Sequence, residues 1–299
     1  MLGSTRLVFD EPYGEADFVD ADQKPRKRGS KYPIKHWSYS SLMSFLRNPL
    51  AWHKRYVDGI RDTPSSPASI IGRSGHVALQ HFYGGLGKEA GIALGLEYLR
   101  KVPDFEIAFG KAESRMARKK KRRAMEEEYL QAIGFYLARP PRYKVLGVEV
   151  ATVAKVEGLP IRIKAISDLV VESKGEPGAV DIVDHKFVDS FSHLGADKPL
   201  FVMQAIFNYY AVLEGFGKPV RRFILQECKK RKNRDGGSQM RRYVIDFREC
   251  ESDFTVFHRL IHDATKEITR RKIFLPNPSD MFEGKDSFEI YRLELLGKD

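Results

Sequence analysis

Cysteine is the scarcest reactive residue of this 299-residue chain, with Cys228 and Cys250 as its only two examples. Two thiols are too few for a disulfide framework, a four-thiolate zinc site or a cysteine-ligated iron–sulfur cluster. They read as ordinary intracellular thiols. Long apolar runs are missing too: nowhere do about 18 apolar residues follow one another without interruption. The opening stretch MLGSTRLVFDEPYGEADF is acidic and mixed, without the basic start and apolar centre of a secretion signal. These absences predict a soluble, cytoplasmic protein with no membrane partner. No internal repeat is found either.

Acid is in deficit. The chain carries 51 Lys and Arg against 40 Asp and Glu, a formal charge of +11, and such a balance favours an acidic partner. Apolar material is plentiful: 42% of residues are hydrophobic and 11% aromatic, and chains of this size bury roughly 75% of their unfolded surface. Wholesale disorder is therefore excluded.

Residues 1–36 read as an arm, because 1–23 hold six acids and one base whereas KPRKRGSK, 24–31, holds five bases and no acid. Residues 37–299 read as one domain with a helical part over 37–142, a sheet core over 143–250, and a C-terminal helix and tail over 251–299. In SYSSLMSFLRN, Ser40 is a candidate N-cap for a stripe of Leu42, Phe45 and Leu46, and Pro49 restarts a helix through Tyr56. The segment IIGRSGHVALQHFYGG is helical from Ile70 to Phe82 and ends at glycines 84, 85 and 87. Phe105, Phe109, Ala112, Met116, Leu130, Ile133 and Leu137 recur at helical spacing, yet RKKKRR, 118–123, holds no apolar residue and cannot face a core. After Pro140-Pro141 the period becomes 2 in VLGVEVATVAKV, LPIRIKAISDLVV and AVDIVDHKFV, which predicts three successive strands. A helix over 198–214, strands over 223–228 and 242–246, and a helix over 253–272 complete the expectation.

Strand alternation in AVDIVDHKFV puts Asp184 and Lys186 on one face and His185 on the other. Phosphodiester hydrolysis requires a deprotonated water, a stabilised pentavalent phosphorus and a departing alkoxide; a divalent cation held by carboxylates assists each. Asp184 can hold the cation while Lys186 orients the water and offsets phosphate charge. Asp168 ends the alternating run of the preceding strand, where a hairpin would set it beside Asp184. The tripeptide alone is more often the mark of a surface ion pair.

Six pieces in order make the pattern specific: SYSSLMSFLRNPLAWHKRYV with its Pro at a helix break, Gly72 with His76 in GRSGH, Glu149, Asp168 in AISDLVV, Asp184 with Lys186 in DHK, and Gln204. Together with FLPNP at 274–278, they resemble a RecB-like nuclease of the PD-(D/E)XK superfamily. The resemblance implies an α/β fold, a restriction-endonuclease-like αβββαβ core with a mixed central sheet and an added helical subdomain. It implies that His76, Asp168, Asp184 and the backbone carbonyl of His185 bind Mg²⁺ or Mn²⁺, with Lys186 beside the attacking water. Glu149 would act from a second metal site or through a water, and Gln204 belongs to the same catalytic group. There are three departures. Asn48 stands where iron–sulfur members place a cysteine, and their C-terminal cysteines are missing, so no cluster is expected. Gln204 is followed four residues later by Asn208 where the family has Tyr; Tyr209 and Tyr210 are turned about 100° or more away. No helicase motor is present, so unwinding would come from a helicase or recombination partner.

Other residues have plainer readings. His81 falls on another helix face than His76, and Asp181, an odd number of residues from Asp184, reads as structural. Arg118, Lys119, Lys120, Lys121, Arg122 and Arg123, with Lys229, Lys230, Arg231 and Lys232, suit a sequence-independent phosphate track. Against this, Arg122 with Glu126 and Arg123 with Glu127 can pair at i,i+4. Trp37, Tyr39, Trp52 and Phe82 are candidates for stacking on bases. The expectation is a Mg²⁺- or Mn²⁺-dependent deoxyribonuclease, an exonuclease on single-stranded DNA in recombination or repair. Its rivals are a structure-selective endonuclease and a catalytically silent nucleic-acid-binding protein.

Overall fold

β-Branched residues at alternate positions build a mixed sheet in which β1 (His36–Trp37), β2 (Val145–Ala154), β3 (Arg162–Glu172), β4 (Val180–Val188), β5 (Val220–Lys229) and β6 (Met240–Asp246) take part. The computed structural model describes residues 31–60, 63–233 and 236–296; the expected arm, as far as residue 30, lies outside the described residues. β2, β3 and β4 form an antiparallel meander, β5 runs parallel to β4, and β6 returns antiparallel to β5. The restriction-endonuclease-like α/β expectation agrees with this mixed sheet. Ile163 pairs with Ala154 of β2 and with Trp37 of β1, while Leu169 pairs with Val148 of β2 and Val183 of β4. β1 and β4 therefore share one edge of β3, at opposite ends of it.

Helices α1 (Tyr39–Arg47), α2 (Pro49–Tyr56), α3 (Pro67–Tyr83), α4 (Lys88–Lys101) and α5 (Arg115–Ala138) precede the meander. Then α6 (Leu194–Phe216) links β4 to β5, and α7 (Glu251–Arg270) and α8 (Gly284–Leu296) follow β6. Local chemistry explains several starts. Ser66 accepts the Ser69 amide before α3, with Pro67 in the first turn, and Ser114 accepts the Ala117 amide before α5. Opposite sheet faces receive α6 and the α3–α5 group: Gln204 of α6 reaches Asp184, whereas Tyr83 of α3 and Tyr136 of α5 pack on His185. In α3, Gly75 is the glycine whose smallness matters, since a Cβ there would lie 2.2 Å from the Phe187 ring of β4. Gly72 faces open space. No helix among the described residues is long and apolar enough to cross a membrane.

Two elements differ from the sequence expectation. The pattern counted from Phe105 is not one helix: α5 starts at Arg115, and Phe105 and Met116 are 79% and 85% exposed. Its buried stripe is Met125, Tyr129, Ala132, Ile133, Tyr136 and Leu137. The sequence hides α4 behind glycines, which look like terminators but permit close packing; a Cβ on Gly95 would meet Tyr129 Oη at 2.2 Å and the Ser74 carbonyl at 2.5 Å.

Where the sequence predicts one domain over 37–299, the described chain divides into two compact units. The larger comprises 36–43 and 63–270 and contains the whole sheet. Within it Trp37 is fully buried and donates from Nε1 to Thr265 Oγ1 at 2.9 Å, so it is core and not a stacking platform. The smaller comprises 31–35, 44–60 and 271–296. Its Trp52 is likewise fully buried, against Phe45 and Phe274. Asn48, also fully buried, caps α2 by accepting the Ala51 amide and donates from Nδ2 to Asp280 and Ser287 at 3.3 and 3.0 Å. Replacing Asn48 with Ala removes the cap and takes one donor each from buried Asp280, which keeps the Phe282 and Glu283 amides, and Ser287, so we expect a loss of about 1–3 kcal/mol. An unchanged urea-unfolding midpoint would contradict this role.

Candidate active site

The ladder between β3 and β4 runs from Glu172 with Val180 to Leu169 with Val183 and stops there. One step further stand Asp168 and Asp184, where the strands part. The Asp168 carboxylate takes the place of the next backbone partner: its Oδ2 accepts the His185 amide at 2.6 Å. The same oxygen lies 3.3 Å from Nδ1 of His76, on α3, and 3.5 Å from the His185 ring. Asp184 is held differently. Lys186, two residues on and therefore on the same face, places Nζ 2.8 Å from its Oδ2, and Gln204 donates to its Oδ1 at 2.8 Å. Only 6% of Asp184 is exposed.

Glu149 arrives from β2, between Val148, paired with Leu169, and Val150, paired with Ser167. Its φ of 48° makes it the one non-glycine residue with positive φ among the described residues. For a side chain of its size this conformation costs about 1–3 kcal/mol and marks a position the surroundings enforce. It brings the Glu149 carboxylate to His76 and Asp168, so that one ligand atom from each lies within 4.8 Å of the others.

The charges in this recess depend on one another. Burial works against ionised Asp168, but the side chains of His76 and His185 hold its carboxyl well below the usual range. Burial pushes Glu149 up to about 8, with Asp168 adding to the effect. Burial likewise raises Asp184 against the pull of Lys186. For His76, burial would lower the pKa, yet Asp168 and Glu149 carry it up to about 9. Burial also disfavours the Lys186 ammonium, and Asp184 and Asp168 outweigh it, so the amine stays charged. Three carboxylates around one imidazole and one ammonium are short of positive charge, which is the electrostatic condition for a bound cation. The donor set of one imidazole nitrogen and carboxylate oxygens suits Mg²⁺ or Mn²⁺. The tight cluster contains Glu149, whereas Asp184 adjoins it with its oxygens directed at Lys186 and Gln204.

Other candidates lie elsewhere. Asp181, on the opposite face from Asp184, forms a two-point ion pair with Arg222 and accepts from Ser173. Tyr209 packs on Phe247 and Phe254, and the Tyr210 hydroxyl is 2.6 Å from His258 Nε2. Asn208, in the place of the family's tyrosine, accepts from Ser167 and donates to the Gln204 carbonyl. Tyr39, a stacking candidate by sequence, stands closer to the chemistry than that: burial raises its pKa, and it feels the charges of Lys186 and Asp184. Its position just after β1 gives no local signal of that proximity.

The basic track needs correction. Arg122 does not pair with Glu126: it binds Asp104 and the Val102 carbonyl, while Glu126 pairs with Arg100. Lys230 is 2% exposed, with Asp189 at 3.1 Å and Glu128 at 3.5 Å, so its charge is satisfied within the protein. Lys229 donates to Asn233, and Arg231 lies 3.4 Å from Glu128. Arg118 sits over the Phe109 ring. Lys119, Lys120, Lys121, Arg123 and Lys232 are exposed.

Crowded carboxylates beside a charged lysine, at the split of a mixed sheet, suit a divalent cation and a phosphate, and this is nuclease chemistry. The profile of the PD-(D/E)XK nuclease superfamily matches residues 36–281, and the chain belongs to that superfamily. Membership points to metal-dependent nuclease activity. No curated protein gives a significant match. Among solved structures, the "Crystal structure of SSO0001" aligns with 17% identity and a TM-score of 0.30 over 75% of this chain and 83% of that one, too low to carry an argument.

Ligation requires neutral His76 and ionised Glu149, and both bind a proton in the cation-free protein up to about pH 9 and 8 respectively. Cation affinity should therefore rise from pH 6 to 9, with proton release on binding. Titration calorimetry in two buffers of different ionisation enthalpy checks this; affinity independent of pH would contradict the ligand set.

Proposed function

We propose that this chain is a RecB-like member of its superfamily, without an iron–sulfur cluster, that hydrolyses DNA as an exonuclease on single strands. The observation that carries the reading is the joint placement of Lys186 and Asp184 beside the His76–Glu149–Asp168 cluster. His76, Glu149 and Asp168 would hold Mg²⁺ or Mn²⁺, with Asp184 and the His185 carbonyl adjoining it. The cation, when bound, supplies Lewis-acid stabilisation of phosphate charge and a lowered water pKa. Lys186 stays charged, so it acts as a donor and not as a base: its remaining N–H groups orient the water and offset phosphate charge. Gln204 fixes the Asp184 carboxylate so that Lys186 keeps its aim. His185 positions Asp168 through its amide.

The recessed site supports a single strand over a duplex, since a half-buried lysine and a 6%-exposed carboxylate are more easily reached by one flexible strand. Where iron–sulfur relatives carry a cysteine, Asn48 is occupied with Asp280 and Ser287. End-labelled linear and circular DNA, single- and double-stranded, tests the mode with Mg²⁺, Mn²⁺ or EDTA. Linear single strands should be degraded and circles spared; equal cutting of circles would show an endonuclease.

Asp184→Ala or Lys186→Ala should abolish cleavage and leave the circular-dichroism spectrum and DNA binding in place. Full activity in Asp184→Ala at ordinary Mg²⁺ would sink the assignment. Lys119, Lys120 and Lys121 changed together to Gln should weaken binding to all sequences alike. For every phosphate that a lysine no longer neutralises, the plot of log affinity against log salt should flatten by roughly 0.7. An unaltered slope removes α5 from the track.

A further inference from the structure

Separate from the catalytic recess is an open cavity of about 720 Å³ lined by the end of α3, the turn after α5 and the start of β2. Its walls include Phe82, Tyr83 and Tyr143, with Lys88, Arg139 and Arg142 among them, and no acidic residue lines it. The three aromatic residues are half-buried and form a run: Phe82 and Tyr83 have centroids 4.9 Å apart, Tyr83 and Tyr143 5.8 Å. Lys88 is anchored on the Leu137 carbonyl at 2.7 Å. Arg139 and Arg142 are exposed and meet no carboxylate among the described residues. Tyr83 is a fixed wall, its hydroxyl 3.0 Å from both Tyr136 Oη and the Pro141 carbonyl.

That wall has two sides. Tyr83 lines the cavity and also stacks on the His185 ring, with centroids 5.8 Å and planes 20° apart. His185 in turn gives its amide to Asp168. The cavity thus lies one aromatic ring away from the residue that positions the catalytic carboxylate.

We propose that this cavity is a nucleotide subsite, which takes one nucleoside phosphate unit of the bound strand on the far side of Tyr83 from the scissile bond. The base stacks on Tyr143 and Phe82, and the phosphate meets Arg139 and Arg142. Aromatic faces accept any base, and unpaired guanidinium groups suit a phosphate, so the site is sequence-tolerant. This rests on the nuclease reading above and extends it by giving the strand a second fixed point away from the chemistry.

The test uses the full chain in EDTA, where binding proceeds without turnover. A short oligothymidylate carrying 5-iodouracil at one position at a time is irradiated, and the crosslinked peptide is sequenced. One position should label Tyr143 or Phe82. Tyr143→Ala should weaken binding roughly tenfold, the order of one base stack, and Tyr143→Phe should restore it. Arg139→Gln with Arg142→Gln, both on the surface and safe for folding, should lower affinity and flatten its salt dependence by roughly 0.7 for each phosphate left without its arginine. Thymidine 5′-monophosphate at the oligomer's half-saturating concentration should not compete; equal competition would show a free-nucleotide site and overturn the strand assignment. Crosslinks confined to other residues, with unchanged affinity in both variants, overturn the subsite while cleavage by the wild type leaves the nuclease reading intact. A wild type that neither binds nor cuts DNA overturns that reading, and the subsite falls with it.

Discussion

One carboxylate oxygen governs the geometry of this protein. Asp168 Oδ2 accepts the His185 amide where the β3–β4 ladder ends, and it faces the imidazoles of His76 and His185 as well. Without a side-chain acceptor there, the His185 N–H would be buried and unpaired on the edge where β4 no longer has β3 beside it, although β5 still lines its other edge, a cost of about 1–3 kcal/mol. By ending the ladder with a side chain, the fold opens a gap between two strands without leaving the His185 amide unsatisfied. The gap admits Asp184, Lys186 and the strained Glu149. The closeness of α3 to β4, which needs Gly75 to be glycine, delivers His76 to the same place.

Crowding follows, and it has a use. Glu149, Asp168 and Asp184 cannot all be ionised cheaply in one recess, and burial shifts the proton affinity of Glu149 and Asp184 upward. The cation-free protein answers with a proton on His76 and the charge of Lys186. A divalent cation does the same with a stronger field, and in addition turns a site that repels phosphate into one that attracts it. In the proposed function, nucleic-acid binding and metal binding are thereby linked. The net charge of +11 draws a polyanion to the surface, but the exposed bases on α5 and around the cavity stand away from the recess, whose own field depends on the metal.

The parts of this architecture that are legible in the sequence are those with a local period. Alternation of 2 places Asp184 with Lys186 and His185 opposite, and the short turn between β3 and β4 brings Asp168 alongside. His76 can be picked out only by resemblance, since a histidine on an apolar helix is by itself a core residue. Glu149 looks like any outward residue of a strand, because the turn of its backbone to φ 48° has no sequence signature. The basic segments mislead for a related reason: Arg122 finds Asp104, and Lys230 finds Asp189 and Glu128, and none of these partners is at a helical or strand repeat from its base. α4 escapes a reading by pattern because glycine punctuates loops and also allows helices to touch. The two compact units leave no local mark, since the smaller is assembled from segments over 200 residues apart, joined through Asn48, Asp280 and Ser287.

The central claim is that the split between β3 and β4 is a cation site built on Asp168. Anomalous diffraction from crystals soaked in Mn²⁺ tests it most directly, because the scattering locates the ion without any assumption about activity. A single strong peak bonded to Asp168 and within ligand distance of His76 and Glu149 is the predicted result. Manganese bound only away from Asp168, or no peak in the split at saturating concentration, would contradict the account.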